Sequence, residues 1–273
     1  MIELLSYDFL RRALVAAVLV GIAAPAVGTF IVQRRLALLG DGIGHIALTG
    51  VGLGLLTRSS PTILALAVSA LGAVAIELLR VRTRTGGDVA LALLFYGGLA
   101  GGVLFANLSG GSANLNSYLF GSISSVSPSD LWVVAGLAVA VVVILTVFGR
   151  ELFVLCQDEE VARASGLPVR FLSLLIAVTA ALTVVVAMRA VGLLLVSALM
   201  VVPVAAAQQL TRGFRATIGV AVVVGVVAAV GGLWVSVDAD IAPGPTIVLL
   251  AMAVFLGAVG AGRLIRMRRT GTP

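Results

Sequence analysis

The chain has 273 residues, of which 60% are hydrophobic and 11% charged, with a formal net charge of +6 and a mean hydropathy of +1.19. A soluble domain carries about 25% charged residues, so the composition excludes one and points to a polytopic membrane protein, read as a single membrane domain over 1–273. The positive charge does not indicate nucleic acid as a partner. All eighteen basic residues are arginine, scattered between apolar segments, and membrane topology accounts for them.

Apolar runs of about 17–25 residues, each able to cross a hydrocarbon core as a helix, recur along the chain. The first ten residues contain Glu3 and Asp8 and no cleavage site follows, so the first run reads as a retained helix. The expected spans are Ala13–Val32, Gly42–Thr57, Pro61–Leu79 and Val89–Ala106. A long polar segment, NLSGGSANLNSYLFGSISSVSPSD, precedes the fifth span, Leu131–Phe148. Residues 149–170 form a charged, helix-compatible connection, and Phe171–Met188, Ala190–Gln208, Ala216–Val235 and Pro245–Gly262 complete nine. The second and seventh carry features of broken or tilted helices, the seventh through Pro203, which removes a hydrogen bond and kinks or interrupts it.

Arginine counting gives the orientation. One set of connections and the C-terminal tail hold 14 arginines, among them Arg34, Arg35, Arg80, Arg82, Arg84 and Arg163. The opposite side holds 4: Arg11, Arg12, Arg58 and Arg189. The positive-inside rule then places the N-terminus outside and the C-terminus in the cytoplasm, which nine crossings satisfy. Glycines crowd the second and fourth spans (Gly50, Gly52, Gly54; Gly97, Gly98, Gly101, Gly102), where small residues let helices approach closely or line a path. No GxxxxGK[ST] loop occurs, so any ATP hydrolysis belongs to another chain. Cys156 is the one cysteine, which excludes a disulfide within the chain.

Asp41 and His45, within GDGIGH, are four apart and share a helix face. Carboxylate and imidazole suit zinc or manganese, but they make half a site, with Thr49 a weak third ligand one turn on. The alternatives are that Asp41 caps the second helix while His45 packs, that the pair touches a passing cation, or that it holds a metal stably. Ser197 and Gln208 add polar groups around Pro203. Glu77, near Arg80, reads as a snorkelled surface group, and Arg189 as an interfacial anchor. Arg11 and Arg12, placed outside against the charge bias, suit an acidic partner surface. The segment DEEVARASGLPV, in which Glu159, Arg163 and Gly166 stand out, is a short amphipathic helix stopped by glycine, either a connector or a docking helix for a cytoplasmic protein. Asp238 and Asp240, beside a Pro-Gly-Pro turn, read either as solvated loop acids, the commoner case, or as carboxylates that attract cations.

Six stretches together resemble the integral-membrane permease subunits of ABC importers for zinc, manganese or iron: FLRRALVAAVLVG, IVQRRLALLGDGIGHIAL, YLFGSISSVSPSDL, DEEVARASGLPV, VGLLLVSALMVVPVAAAQQL and SVDADIAPGPTIVL, in the family's order over about 230 residues. The resemblance implies an all-α helical bundle of the vitamin and metal-chelate importer type. It implies two copies around the path, or one copy with a close relative, together with two cytoplasmic ATPase subunits that hydrolyse ATP and an extracytoplasmic metal-binding protein, all at a bacterial plasma membrane. Asp158, Glu160, Ala162 and Gly166 fall on the family's coupling helix, which docks into the ATPase. Gly40, Asp41 and His45 fall on its GDxxSH motif, with Gly44 in place of the serine. Arg11 and Arg12 fall where the binding protein docks. Asp41, His45, Thr49, Ser197 and Pro203 become candidates for the translocation path and gate. Gln157, Asp158, Glu159 and Glu160 replace the usual aromatic followed by Asp-Pro-Glu.

The expected activity is ATP-driven import by alternating access, with no catalytic residue and no bound cofactor in this chain. Zinc is favoured as cargo by His45 over manganese or iron. A secondary cation transporter would need acidic residues at the membrane midplane, and the span centres hold almost none. An iron-chelate permease would need a wider path, and a membrane scaffold would leave the docking helix without a purpose.

Overall fold

Lipid offers a backbone no hydrogen-bond partner, so an apolar chain must satisfy its amides within helices. The protein, seen in a computed structural model, follows that rule over the described residues 8–82, 87–110, 118–121 and 128–270. Eleven helices occur among them and no strand. They are α1 (Asp8–Gln33), α2 (Leu39–Leu56), α3 (Pro61–Arg82), α4 (Gly87–Leu108), α5 (Pro128–Val147), α6 (Gly149–Gln157), α7 (Glu159–Ala164), α8 (Val169–Val191), α9 (Leu193–Leu210), α10 (Phe214–Asp238) and α11 (Pro243–Thr270). Nine of these, all but α6 and α7, are long and apolar enough to cross a membrane.

Several ends run past the apolar windows, because a helix continues until its backbone meets another partner. α1 starts at Asp8 rather than Ala13, and α11 runs to Thr270 rather than Gly262. α2 and α9 are the shortest spans, at 18 residues each. The expected interruption at Pro203 does not occur: α9 continues through it, and the proline is buried among neighbouring helices. The break lies at Gly192, whose φ of 90° and ψ of 149° separate α8 from α9 and suit only glycine.

α1, α2 and α8 are the most buried spans. α1 packs against α5, α8, α9 and α10, while α2 sits between α3 and α4. α8 joins the two groups by touching α1, α2 and α3. Without a hydrophobic drive between helices in lipid, close packing must hold them together. Gly28 of α1 lies directly on the backbone of Met200, where any Cβ would collide. α4, α5 and α11 turn most of their residues outward, and Leu93, Trp132 and Leu249 are exposed as a lipid-facing surface would be.

The connections gather at two ends. Arg34, after α1, reaches Glu159 and Ser173, so the α1–α2 joint and the α6–α8 connection share one end. Gly121, Gly192 and Gly244 bring the α4–α5, α8–α9 and α10–α11 connections together at the other. The arginine count assigns the same grouping. Arg84 and residues 111–117 and 122–127 lie outside the described residues, as do the side chains of Arg80, Arg82, Arg189, Arg266, Arg268 and Arg269.

Candidate functional site

The site begins where α1 stops. Arg35 takes a left-handed φ of 60°, and the Leu36 amide donates to the Ile31 carbonyl at 3.0 Å. That closes the helix by a tight six-residue hydrogen bond. Leu39 then donates to Leu36 at 2.8 Å and Gly42 to Leu38 at 2.9 Å, so α2 starts almost at once. Leu38 occupies the cap position and no side chain caps the helix. The capping role expected for Asp41 is therefore absent. Asp41 sits inside the first turn, where a carboxylate is favoured by the unpaired amides without bonding one of them.

One turn on, His45 Nε2 lies 3.7 Å from Asp41 Oδ1. That is too long for a hydrogen bond, yet short enough for both atoms to touch one ion at about 2.0–2.2 Å each. The imidazole is buried, its ring stands edge-on to Phe95 at 4.2 Å between centroids, and Nδ1 has no hydrogen-bond partner. A cleft of about 280 Å³ opens beside the pair, lined by Leu38, Asp41, Leu91, Ala92, Phe95 and Tyr96. Asp41 faces this cleft and His45 lies behind it. No group of three or more His, Cys, Asp or Glu residues that could hold a metal ion occurs among the described residues. Two donors without a third can touch a cation but not cage it.

α4 is pressed against α2 by its glycines. A Cβ on Gly98 would lie 2.6 Å from the Ile46 amide nitrogen, and one on Gly101 2.9 Å from Thr49 Oγ1. Thr49 donates its hydroxyl to the Gly98 carbonyl at 2.7 Å, so it stitches α2 to α4. Most of the clustered glycines are thus packing residues, although Gly97 meets nothing. On the other flank, a Cβ on Gly44 would run into Leu193 of α9, which fills the space where the family pattern has a serine side chain. Met200, also of α9, lies 3.3 Å from the position of a Cβ on Gly40.

The remaining sequence candidates make no hydrogen bond to this pair among the described residues. Ser197 donates to Leu193 within α9 at 3.3 Å, and Pro203 is buried further along that helix. No hydrogen bond among the described residues joins either to Asp41 or His45. Arg11 is exposed and pairs with Asp8 at 3.7 Å, while Arg12 is half-buried beside it. Asp238 and Asp240 are exposed.

At the arginine-rich end, Asp158 caps α7, its Oδ1 accepting from Glu160 N at 2.7 Å and Val161 N at 3.2 Å. Ala162 is fully buried against its own chain, which removes it from any direct docking contact. Glu160 stays exposed, and Gly166, at φ 77°, ends the helix and is exposed as well. A groove of about 920 Å³ runs beside α7, bordered by Glu77, Glu159, Arg163, Pro168, Arg170 and Ser173. Cys156 of α6 lies near Phe30, its Sγ 3.6 Å from the Phe30 carbonyl. Burial pushes its thiol up to about 12, against a smaller opposing pull from Arg34.

Sequence reasoning missed Phe95, Tyr96 and Leu193, because nothing in a run of apolar residues says which ones border a carboxylate. It took Arg34 only as a marker of topology.

A family model described as the ABC 3 transport family matches residues 6–261. The manganese transport system membrane protein MntC of Halalkalibacterium halodurans is 37% identical over 254 residues, spanning 93% of this chain and 87% of that one. The high-affinity zinc uptake system membrane protein ZnuB of Haemophilus influenzae is 27% identical over 252 residues, spanning 92% and 96%. Among solved structures, PsaBC from Streptococcus pneumoniae in complex with Fab aligns with a TM-score of 0.85 at 32% identity, covering 94% of this chain and 93% of that one.

Proposed function

The chain belongs to the ABC 3 transport family as an integral-membrane permease of a metal importer, and from that premise we propose that it carries manganese into the cytoplasm. The cargo moves from the zinc that His45 alone suggested to manganese. The relative at 37% identity is named for manganese, whereas the relative named for zinc stands at 27%. The chemistry agrees: a carboxylate facing the cleft with one imidazole behind it suits a hard ion, since carboxylate and water favour manganese. Zinc is the second reading, and the imidazole is what favours it.

The observation that carries the proposal is the pair Asp41 and His45, 3.7 Å apart beside an open cleft, with no third His, Cys, Asp or Glu grouped with them among the described residues. A waypoint must bind weakly enough to release. The remaining coordination would come from water or from a second copy of the chain across the path. An extracytoplasmic metal-binding protein would deliver the ion at the Arg11 and Arg12 end. Two ATPase subunits would hydrolyse ATP beneath α7, pressing on Glu160 and the exposed face around Gly166. Asp158 and Ala162 would shape that helix rather than touch the partner. The N-terminus would then lie outside and the C-terminus in the cytoplasm. This chain would form and break no covalent bond.

The test is uptake into proteoliposomes holding the permease, its ATPase and the metal-loaded binding protein. Manganese should enter only with ATP, and Asp41→Asn or His45→Ala should lower uptake at least tenfold, about 1.4 kcal/mol or more at the waypoint, with assembly intact. Uptake driven by a proton gradient without ATP would overturn the reading. Zinc entering in preference to manganese from an equimolar mixture would select the second.

A further inference from the structure

Arg34 is counted with the arginines that set topology, yet it does not behave as one. Arginines of that kind extend toward headgroups and water; the side chain of Arg34 is 4% exposed. Its Nη1 donates to Ser173 Oγ at 2.9 Å, near the start of α8, and its Nη2 to Glu159 Oε2 at 3.3 Å, in α7. The other oxygen of Glu159 accepts from Arg163 at 3.1 Å. One buried guanidinium thus grips both sides of the segment 165–168 that follows α7. Glu159, its partner, is 39% exposed, and an ion pair with one member in water adds little net stability, so fold stability alone gives little reason for a charge at this place.

The same residue stands at the head of the joint that leads to Asp41. Its backbone amide bonds the Phe30 carbonyl at 3.1 Å, and the bonds from Leu36, Leu39 and Gly42 continue without a gap into α2. Leu36 and Leu39 are buried, so the joint cannot swing freely. Two further contacts seat this end of α1: Cys156 against the Phe30 carbonyl, and the Phe30 ring edge-on to Phe214 at 5.2 Å.

We propose that Arg34 is a positioning residue of the transport cycle, passing a displacement of α7 through the stiff α1–α2 joint to Asp41 and His45. The inference rests on the permease reading and adds the route by which the ATPase-facing helix reaches the waypoint. A rotation of α7 moves Glu159, Glu159 draws the guanidinium, and the first turn of α2 follows because no slack separates them. Ser173 makes the guanidinium follow α8 as well, so the two elements flanking the segment act on one point.

The experiment compares wild type, Arg34→Gln and Arg34→Lys in the complete complex in proteoliposomes, reading ATP hydrolysis and manganese uptake in the same vesicles. Arg34→Gln should keep ATP hydrolysis within about twofold of wild type, while manganese delivered per ATP falls at least tenfold. Arg34→Lys, which keeps the charge but cannot fork to both partners, should fall between them. A purely structural strut would lower both activities in proportion to assembled complex and leave the ratio unchanged; that result overturns the inference. If Arg34→Gln does not assemble, Ser173→Ala decides, because it removes one partner without stranding a charge. A two- to fivefold fall in uptake per ATP supports the route, and an unchanged ratio overturns it. Wild-type uptake that needs no ATP would sink the permease reading itself, whereas normal wild-type transport with an unchanged Arg34→Gln ratio sinks only this inference.

Discussion

The two ends of the bundle are held together by different chemistry. At the arginine-rich end, the residue after α1 meets α7 and α8 through side chains: Arg34 donates to Ser173 and to Glu159, whose other oxygen accepts from Arg163. At the other end, three connections meet through backbone, with Gly121, Gly192 and Gly244 lying against Phe120 and Val191 and leaving no room for Cβ atoms. Long side chains can follow a moving partner and change its bonding without losing contact. Backbone pressed on backbone is either closed or apart. On the proposed function, side-chain contacts at the arginine-rich end would suit graded motion, and backbone contacts at the far end would suit a seal.

The largest effect that can break this contrast concerns how dry the side-chain joint is. With its thiol pushed up to about 12 by burial, Cys156 of the assembled protein should react with iodoacetamide at pH 8 about a thousandfold more slowly than an exposed cysteine. The raised value also sets a sign: the stability due to a neutral thiol is complete below pH 9 and declines as pH rises from there toward 12. Fast alkylation at pH 8 would show that water enters the joint, and would weaken the case for a stiff one. Next comes the backbone seal. Gly192→Ala places a side chain at φ 90° and against the Gly121 backbone, and should cost about 3 kcal/mol or more, read as a lower unfolding temperature in detergent. A substitution that leaves stability unchanged would mean that the seal is loose. The smallest effect separates capping from docking at α7. Asp158→Ala removes both cap bonds and should cost about 1 kcal/mol, while Asp158→Asn keeps an acceptor and should be close to neutral. Hydrogen exchange of the Glu160 and Val161 amides would report it, and equal protection in the two variants would contradict the capping role.

The spans were legible because the bilayer fixes both their length and their saturation with hydrogen bonds. The grouping of connections into two ends was legible for the same reason, since an arginine between apolar runs stays out of lipid. Local features were read less well. Asp41 looked like a cap because aspartate before an apolar run usually is one, but the tight closure of α1 starts α2 three residues earlier and draws Asp41 into the first turn. Pro203 looked like a break because proline removes a hydrogen bond; burial among neighbours lets α9 carry it, and glycine breaks the chain instead.

The sequence by itself determined a membrane protein in which nine helices among the described residues are long and apolar enough to span, with a carboxylate and an imidazole on one helix face, and its family resemblance followed from motifs in order. Composition, periodicity and spacing act along the chain, so they are visible there. Which residues meet was decided only by the tertiary structure. Arg34 and Glu159 are 125 residues apart, and Gly44 says nothing of Leu193. Helix packing brings such pairs together through shape, which no local pattern records. That packing turns an arginine counted for topology into a buried guanidinium that ties the end of α1 to α7 and α8.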